Sequence, residues 1–219
     1  MMKRNQSGFT LIEIAIVLVI IGLLLGGVMK GQELINSAKV KNIASDFKNT
    51  SLYVYSYQDK FHALPGDDAL VALHISSATL ATTPAVATVG DGKIDGAWDS
   101  TTQTDESYLF WQHVRMSGIA AGSTDTTNTI SYLPRNTSGG KIGVTNSTEM
   151  VVTGTTGPLT GSFLVCSDGI LGKFAKQLDI TMDDGNGATG SMMSFLGNVS
   201  ANAVEAPLDN TLYTTCLGV

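Results

Sequence analysis

The sequence predicts an α+β chain: one long N-terminal α-helix, apolar in its first half and amphipathic in its second, packed on a small antiparallel β-sheet head. Three observations predict it. Phe9 to Met29 is an apolar run that carries no charge except Glu13. Residues 30 to 63 hold no proline and keep a helical apolar period. From about residue 76 the chain turns rich in Gly, Ser and Thr, with short apolar runs between glycine-containing turns.

The 219 residues are 43% hydrophobic and only 15% charged, enough apolar matter for a real core and too much for a disordered chain. The net charge is -6; without Lys3 and Arg4 the balance is 11 basic against 19 acidic residues, or -8. No basic cluster stands ready to neutralise phosphates, so nucleic acid is not among the expected partners.

Met1 to Gly8 reads as a short basic leader and Phe9 to Met29 as a membrane or filament-core helix. At about 1.5 Å per residue the run crosses a hydrocarbon core of about 30 Å. Lys3 and Arg4 place the N-terminus in the cytoplasm and the rest outside it, a single-pass topology. No A-x-A-like cleavage pattern follows the run around Gly26-Gly27-Val28-Met29. Glu13 lies inside it, where an acid costs about 2.5 to 3.5 kcal/mol on insertion scales and calls for a neutralising partner.

Residues 30 to 63 continue the helix, with Ile43, Phe47, Val54 and Phe61 as the inward stripe and Lys39, Lys41, Asp46 and Lys48 toward water. From Phe9 to His62 the helix measures about 80 Å. Gly22, Gly26 and Gly27 either let it bend or let neighbouring helices approach; both readings stay open. Leu64-Pro65-Gly66-Asp67-Asp68 ends it, with Asp67 as cap of a short helix over Asp68 to Leu73.

Residues 76 to 104 read as a long surface loop and Asp105 to Met116 as a second helix, capped by Thr104 or Asp105, stopped at Gly118 and plugging the core with Phe110, Trp111 and Val114. The sheet is drawn from runs such as Glu149 to Val152, Ser162 to Cys166 and Ser191 to Leu196. The head is thus 64 to 219. Cys166 and Cys216 lie in the exported part, where an oxidising compartment makes a disulfide the natural expectation.

Gly8-Phe9-Thr10-Leu11-Ile12-Glu13, the basic leader and the apolar run resemble the N-terminal signature of type IV pilins and the pseudopilins of type II secretion. The resemblance implies a pilin-like fold and a prepilin peptidase that cuts between Gly8 and Phe9 and methylates Phe9. It also implies that Glu13 meets the new terminal amine of a neighbouring copy, the partner its burial in lipid demands. Self-association, or association with related pilins, into a pilus or periplasmic pseudopilus follows, after residence in the bacterial cytoplasmic membrane. Many major pilins carry a proline near the end of the apolar region; this chain has none there.

No H-E-x-x-H, zinc spacing or G-x-S-x-G elbow surrounds His62, His74, His113 or the serines, so neither an enzyme nor a cofactor is expected. Asp91, Asp95 and Asp99 fail the EF-hand pattern because Lys93 takes a ligand position. Asp179, Asp183 and Asp184 precede Gly185-Asn186-Gly187 as an acidic hairpin turn; some pseudopilins hold calcium in a C-terminal loop, but no metal is assigned. The expected role is structural, a filament subunit. The alternative is an extracytoplasmic binding protein anchored by an uncleaved helix.

Overall fold

The computed structural model describes residues 10–83, 88–148, 159–197 and 202–219. They form two compact units, one ending at Ala38 and one running Lys39–Val219. Helix α1 (Leu11–Phe61) contributes to both. Its 51 residues contain no proline, and it ends where His62 takes a left-handed φ of 56° ahead of Pro65.

In the larger unit the inward stripe of α1 is Val40, Ile43, Ala44, Phe47, Thr50, Val54 and Tyr57, recurring at three and four residues. Ile43, Phe47 and Val54 sit there as expected, while Phe61 is half-buried and stacks on His74 at 5.2 Å. Lys41 and Lys48 face water, but Lys39 and Asp46 do not fully; the Lys39 ammonium lies 5.8 Å above the Phe174 ring. The expectation for Asp67 is corrected. The short helix α2 (Val71–His74) starts later, with no side-chain cap, and Asp67 reaches the N–H groups of Gly90 and Gly92 instead.

Helix α3 (Glu106–Met116) matches the predicted second helix, and Gly118, with φ of 78°, stops it. Asp105 stands at its N-cap without capping it; its carboxylate accepts from the Ser100 and Thr83 hydroxyls. Phe110, Trp111 and Val114 fill the core as expected, and the helix is buried on nearly every side from Glu106 to Val114. The segment before it is irregular but not all surface: Ala81, Ile94 and Trp98 are buried. A turn of helix, α4 (Thr129–Tyr132), is capped by the Asn128 side chain.

The sheet holds β1 (Ile142–Thr145), β2 (Leu164–Leu171), β3 (Met192–Leu196) and β4 (Leu212–Gly218) in the order β1-β2-β4-β3, all neighbours antiparallel. Alternation along β2 sends Val165 and Ile170 to a core shared with α1, α3 and the helix α5 (Gly172–Met182). Leu164 and Cys166 point the other way, to a smaller cluster with Trp98, Leu159, Phe195 and Cys216. A bulge between Ser167 and Ile170, with Gly169 at φ of 68°, absorbs one extra residue of β2. Helix α5 is not expected from the sequence and takes in Asp179, because Phe174, Ala175 and Leu178 bury one face against the sheet; Asp183 to Gly187 follow as a turn, one that joins a helix to β3 rather than two strands. The strand expected at Glu149 to Val152 lies outside the described residues.

Candidate functional site

The first unit is defined by what it leaves uncovered. Its 18-residue apolar window has a mean hydropathy of 2.8 and no buried residue, and Leu11, Leu23 and Met29 are 90%, 74% and 72% exposed. A surface of this kind is stable in water only when lipid or protein covers it. A Cβ added at Gly22, Gly26, Gly27 or Gly31 would meet nothing within 4 Å, so no contact inside the chain asks for glycine at these positions.

Gly8 and Phe9 lie outside the described residues; Thr10 and Glu13 are described. The Thr10 N–H and Thr10 hydroxyl both donate to Glu13 Oε2, at 2.8 and 2.7 Å, and the Glu13 N–H donates back to Thr10 Oγ1 at 3.3 Å. This is a capping box, satisfying two donors at the start of α1. Thr10 is thus a partner of Glu13 that the sequence reading passed over, although the T-x-x-E spacing of residues 10 to 13 is its signal. Both donors engage Oε2. The internal partners meet part of the demand that the acid makes in an apolar setting.

Cys166 and Cys216 are directly opposed on β2 and β4, joined by a disulfide with Cα atoms 4.0 Å apart. The pair is fully buried among Leu164, Met193 and Phe195. It ties together two strands separated by 50 residues of sequence.

The histidines are positioned by their neighbours and form no catalytic set among the described residues. His113 Nδ1 accepts the Gly66 N–H at 2.9 Å, which leaves Nε2–H to donate to the Thr79 carbonyl at 2.9 Å. The ring is therefore neutral, and burial lowers its pKa. His74 Nδ1 lies 2.6 Å from Asp68 Oδ2, an oxygen that also accepts from the Tyr57 hydroxyl at 2.8 Å. His62 closes α1.

Asp67 and Glu106 hold the segment from Gly90 to Gly96 from within. Asp67 accepts the Gly90 and Gly92 N–H groups, and Glu106 Oε2 accepts the Asp95 N–H at 2.8 Å. Gly66, at φ of 94°, passes so close to the Glu106 carbonyl that a side chain there would collide with it. Glu106 is fully buried and its Oε1 has no partner. Burial, with Asp67, Asp95 and Asp91 adding, pushes its pKa up to about 8.

Asp179, Asp183 and Asp184 each offer an oxygen within 4.8 Å of the others. Asp179 is the last-turn acid of α5, 1% exposed, with Oδ1 taking the Gly185 N–H and Oδ2 unpartnered; burial and its two acidic neighbours raise its pKa to about 6. Asp183 accepts from Met192 N–H and Asp184 from Asn186 N–H, so the cluster fastens α5 to β3.

No curated protein and no solved structure matches the chain. Residues 3–29 match the family model described as the prokaryotic N-terminal methylation motif. With that motif opening an apolar helix of this length and exposure, the chain carries the N-terminal signature of type IV pilins and pseudopilins.

Proposed function

We propose that this protein is a structural subunit of a type IV pilus or a pseudopilus. A prepilin peptidase removes residues 1 to 8 and methylates Phe9. Before assembly the helix from residue 9 to 29 spans the cytoplasmic membrane once, with residues 30 to 63 as its amphipathic continuation and 64 to 219 as the extracytoplasmic head. Assembly then replaces lipid around the apolar helix with other copies of it, or with related pilins, by a head-to-tail contact that does not close.

The observation that carries this reading is the methylation motif over residues 3–29. The exposure of every large apolar side chain from Leu11 to Met29 supports it, since a filament core supplies the missing cover. Glu13 fits the same scheme. Thr10 occupies its Oε2 within one chain, and the amine of a neighbour's Phe9 takes the remaining oxygen, pairing a charge that a dry core would otherwise leave costly.

The role is structural rather than catalytic. Mass spectrometry of protein recovered from membranes and from sheared filaments tests it: the expected N-terminus is N-methylated Phe9. An intact Met1 would turn the reading toward a membrane-anchored binding protein.

A further inference from the structure

One face of α1 in the larger unit has no cover. Lys41, Ser45, Lys48, Leu52 and Tyr55 recur at four and three residues and are all exposed, Leu52 by 58% and Tyr55 by 51%, while Ile43, Phe47 and Val54 turn into the core. The ion pairs among the described residues are Lys30–Glu33, His74–Asp68, Lys141–Asp99 and Lys176–Asp209. Lys41 and Lys48 therefore carry charge that no described acid of the same chain meets.

Charge is divided along the chain in the same sense. Residues 30–48 hold four lysines against Glu33 and Asp46, a net +2, whereas residues 49–219 hold 7 basic and 16 acidic residues, a net -9. Asp59, Asp91, Asp125, Asp184 and Glu205 are exposed and enter no ion pair with a described cation. A two-fold contact would set the basic stripe against itself and oppose like charges; a head-to-tail contact brings two different surfaces together and can join opposite ones. Lipid is the poorer match. Lys41 and Lys48 follow Met29 by 12 and 19 residues in one helix, about 18 and 28 Å, past a headgroup layer of about 5–8 Å.

Resting on the filament-subunit reading, we propose that the stripe from Lys41 to Tyr55 is the face on which the acidic head of a second copy docks. Lys41 and Lys48 pair with exposed carboxylates of that head, and Leu52 and Tyr55 supply apolar contact beside them. Exposed ion pairs hold weakly one at a time, so these select which surfaces meet, whereas opposed like charges cost enough to forbid the contact.

Charge reversal in the full chain tests this. Lys41→Glu with Lys48→Glu should leave the amount in the membrane unchanged and lower the yield of sheared filament about tenfold, whereas Lys41→Arg with Lys48→Arg should keep it. A carbodiimide, which joins a lysine amine directly to a carboxyl group, should give dimers from wild-type filaments, linked through Lys41 or Lys48 and one of the exposed head acids. Full filament yield from the double Glu variant would overturn the proposal and leave the subunit reading standing. So would dimers linked only through other lysines, a measurement on the wild-type chain that stands even if the Glu variant does not fold. Wild-type protein that forms no filament would overturn both. Intact filament yield from the Glu variant, with weaker binding to phosphatidylglycerol vesicles, would assign the lysines to lipid and overturn the docking face.

Discussion

The stretch from Leu11 to Met29 and the unit from Lys39 to Val219 use apolar side chains in opposite ways. In the first, Ile12, Leu18 and Leu24 are each more than 60% exposed; in the second, Ile43, Phe47 and Val54 on the same helix are at most 1% exposed. The same residue types on one helix therefore contribute to different equilibria. In the larger unit they stabilise a fold; in the apolar stretch their burial waits for a lipid or another chain.

That contrast can be broken by mutation. The largest effect is expected on assembly: Glu13→Leu should insert in the membrane but yield almost no filament, measured by shearing and blotting, and wild-type filament yield would refute the pairing role. Next, Phe47→Ala should destabilise the Lys39–Val219 unit by about 3–5 kcal/mol, while Leu23→Ala, at a 74% exposed position, should leave its melting unchanged. An equal loss from both would erase the distinction. Replacing both Cys166 and Cys216 by serine opens a link across 50 residues and should cost about 3–4 kcal/mol by urea unfolding.

An effect of similar size depends on pH. Glu106 has its folded pKa raised from 4.5 to about 8, so between these values the folded state holds the proton that the unfolded state has released. Stability should then fall as pH rises through this window, by up to about 1.4 kcal/mol per pH unit, and level off above it. Glu106→Gln should lose this slope in urea titrations at pH 5, 6.5 and 8. The smallest effect belongs to the other region: Thr10→Val removes the capping box and should weaken the first turn of α1 by about 1 kcal/mol, read as faster amide exchange at residues 11 to 13 in micelles.

The parts of the fold legible in the chain are those whose signal is local. Glu106 to Met116 shows its period and its Gly118 stop, and Ser162 to Cys166 and Ser191 to Leu196 show short apolar runs between turns. Helix α5 was not legible, because Gly172 at its start and three aspartates at its end carry turn chemistry; the sheet beneath Phe174 and Leu178 makes it helical. Asp67 misled for a related reason. A local rule makes it a cap, yet its hydrogen-bond partners lie 23 and 25 residues away. Thr10 is legible in the T-x-x-E spacing to Glu13, a local signal of the capping box.

By itself, the order of residues determined the leader signature, the apolar run, the position of Glu13 within it and the helical continuation to Phe61, because each depends on neighbours within a few turns. Tertiary structure alone decided that Glu106 is buried beside Asp67 and Asp95 and that Asp67 reaches the N–H groups of Gly90 and Gly92. Burial and charge proximity are properties of the packed chain. Side chains far apart in sequence acquire them only when the core brings them together and excludes water.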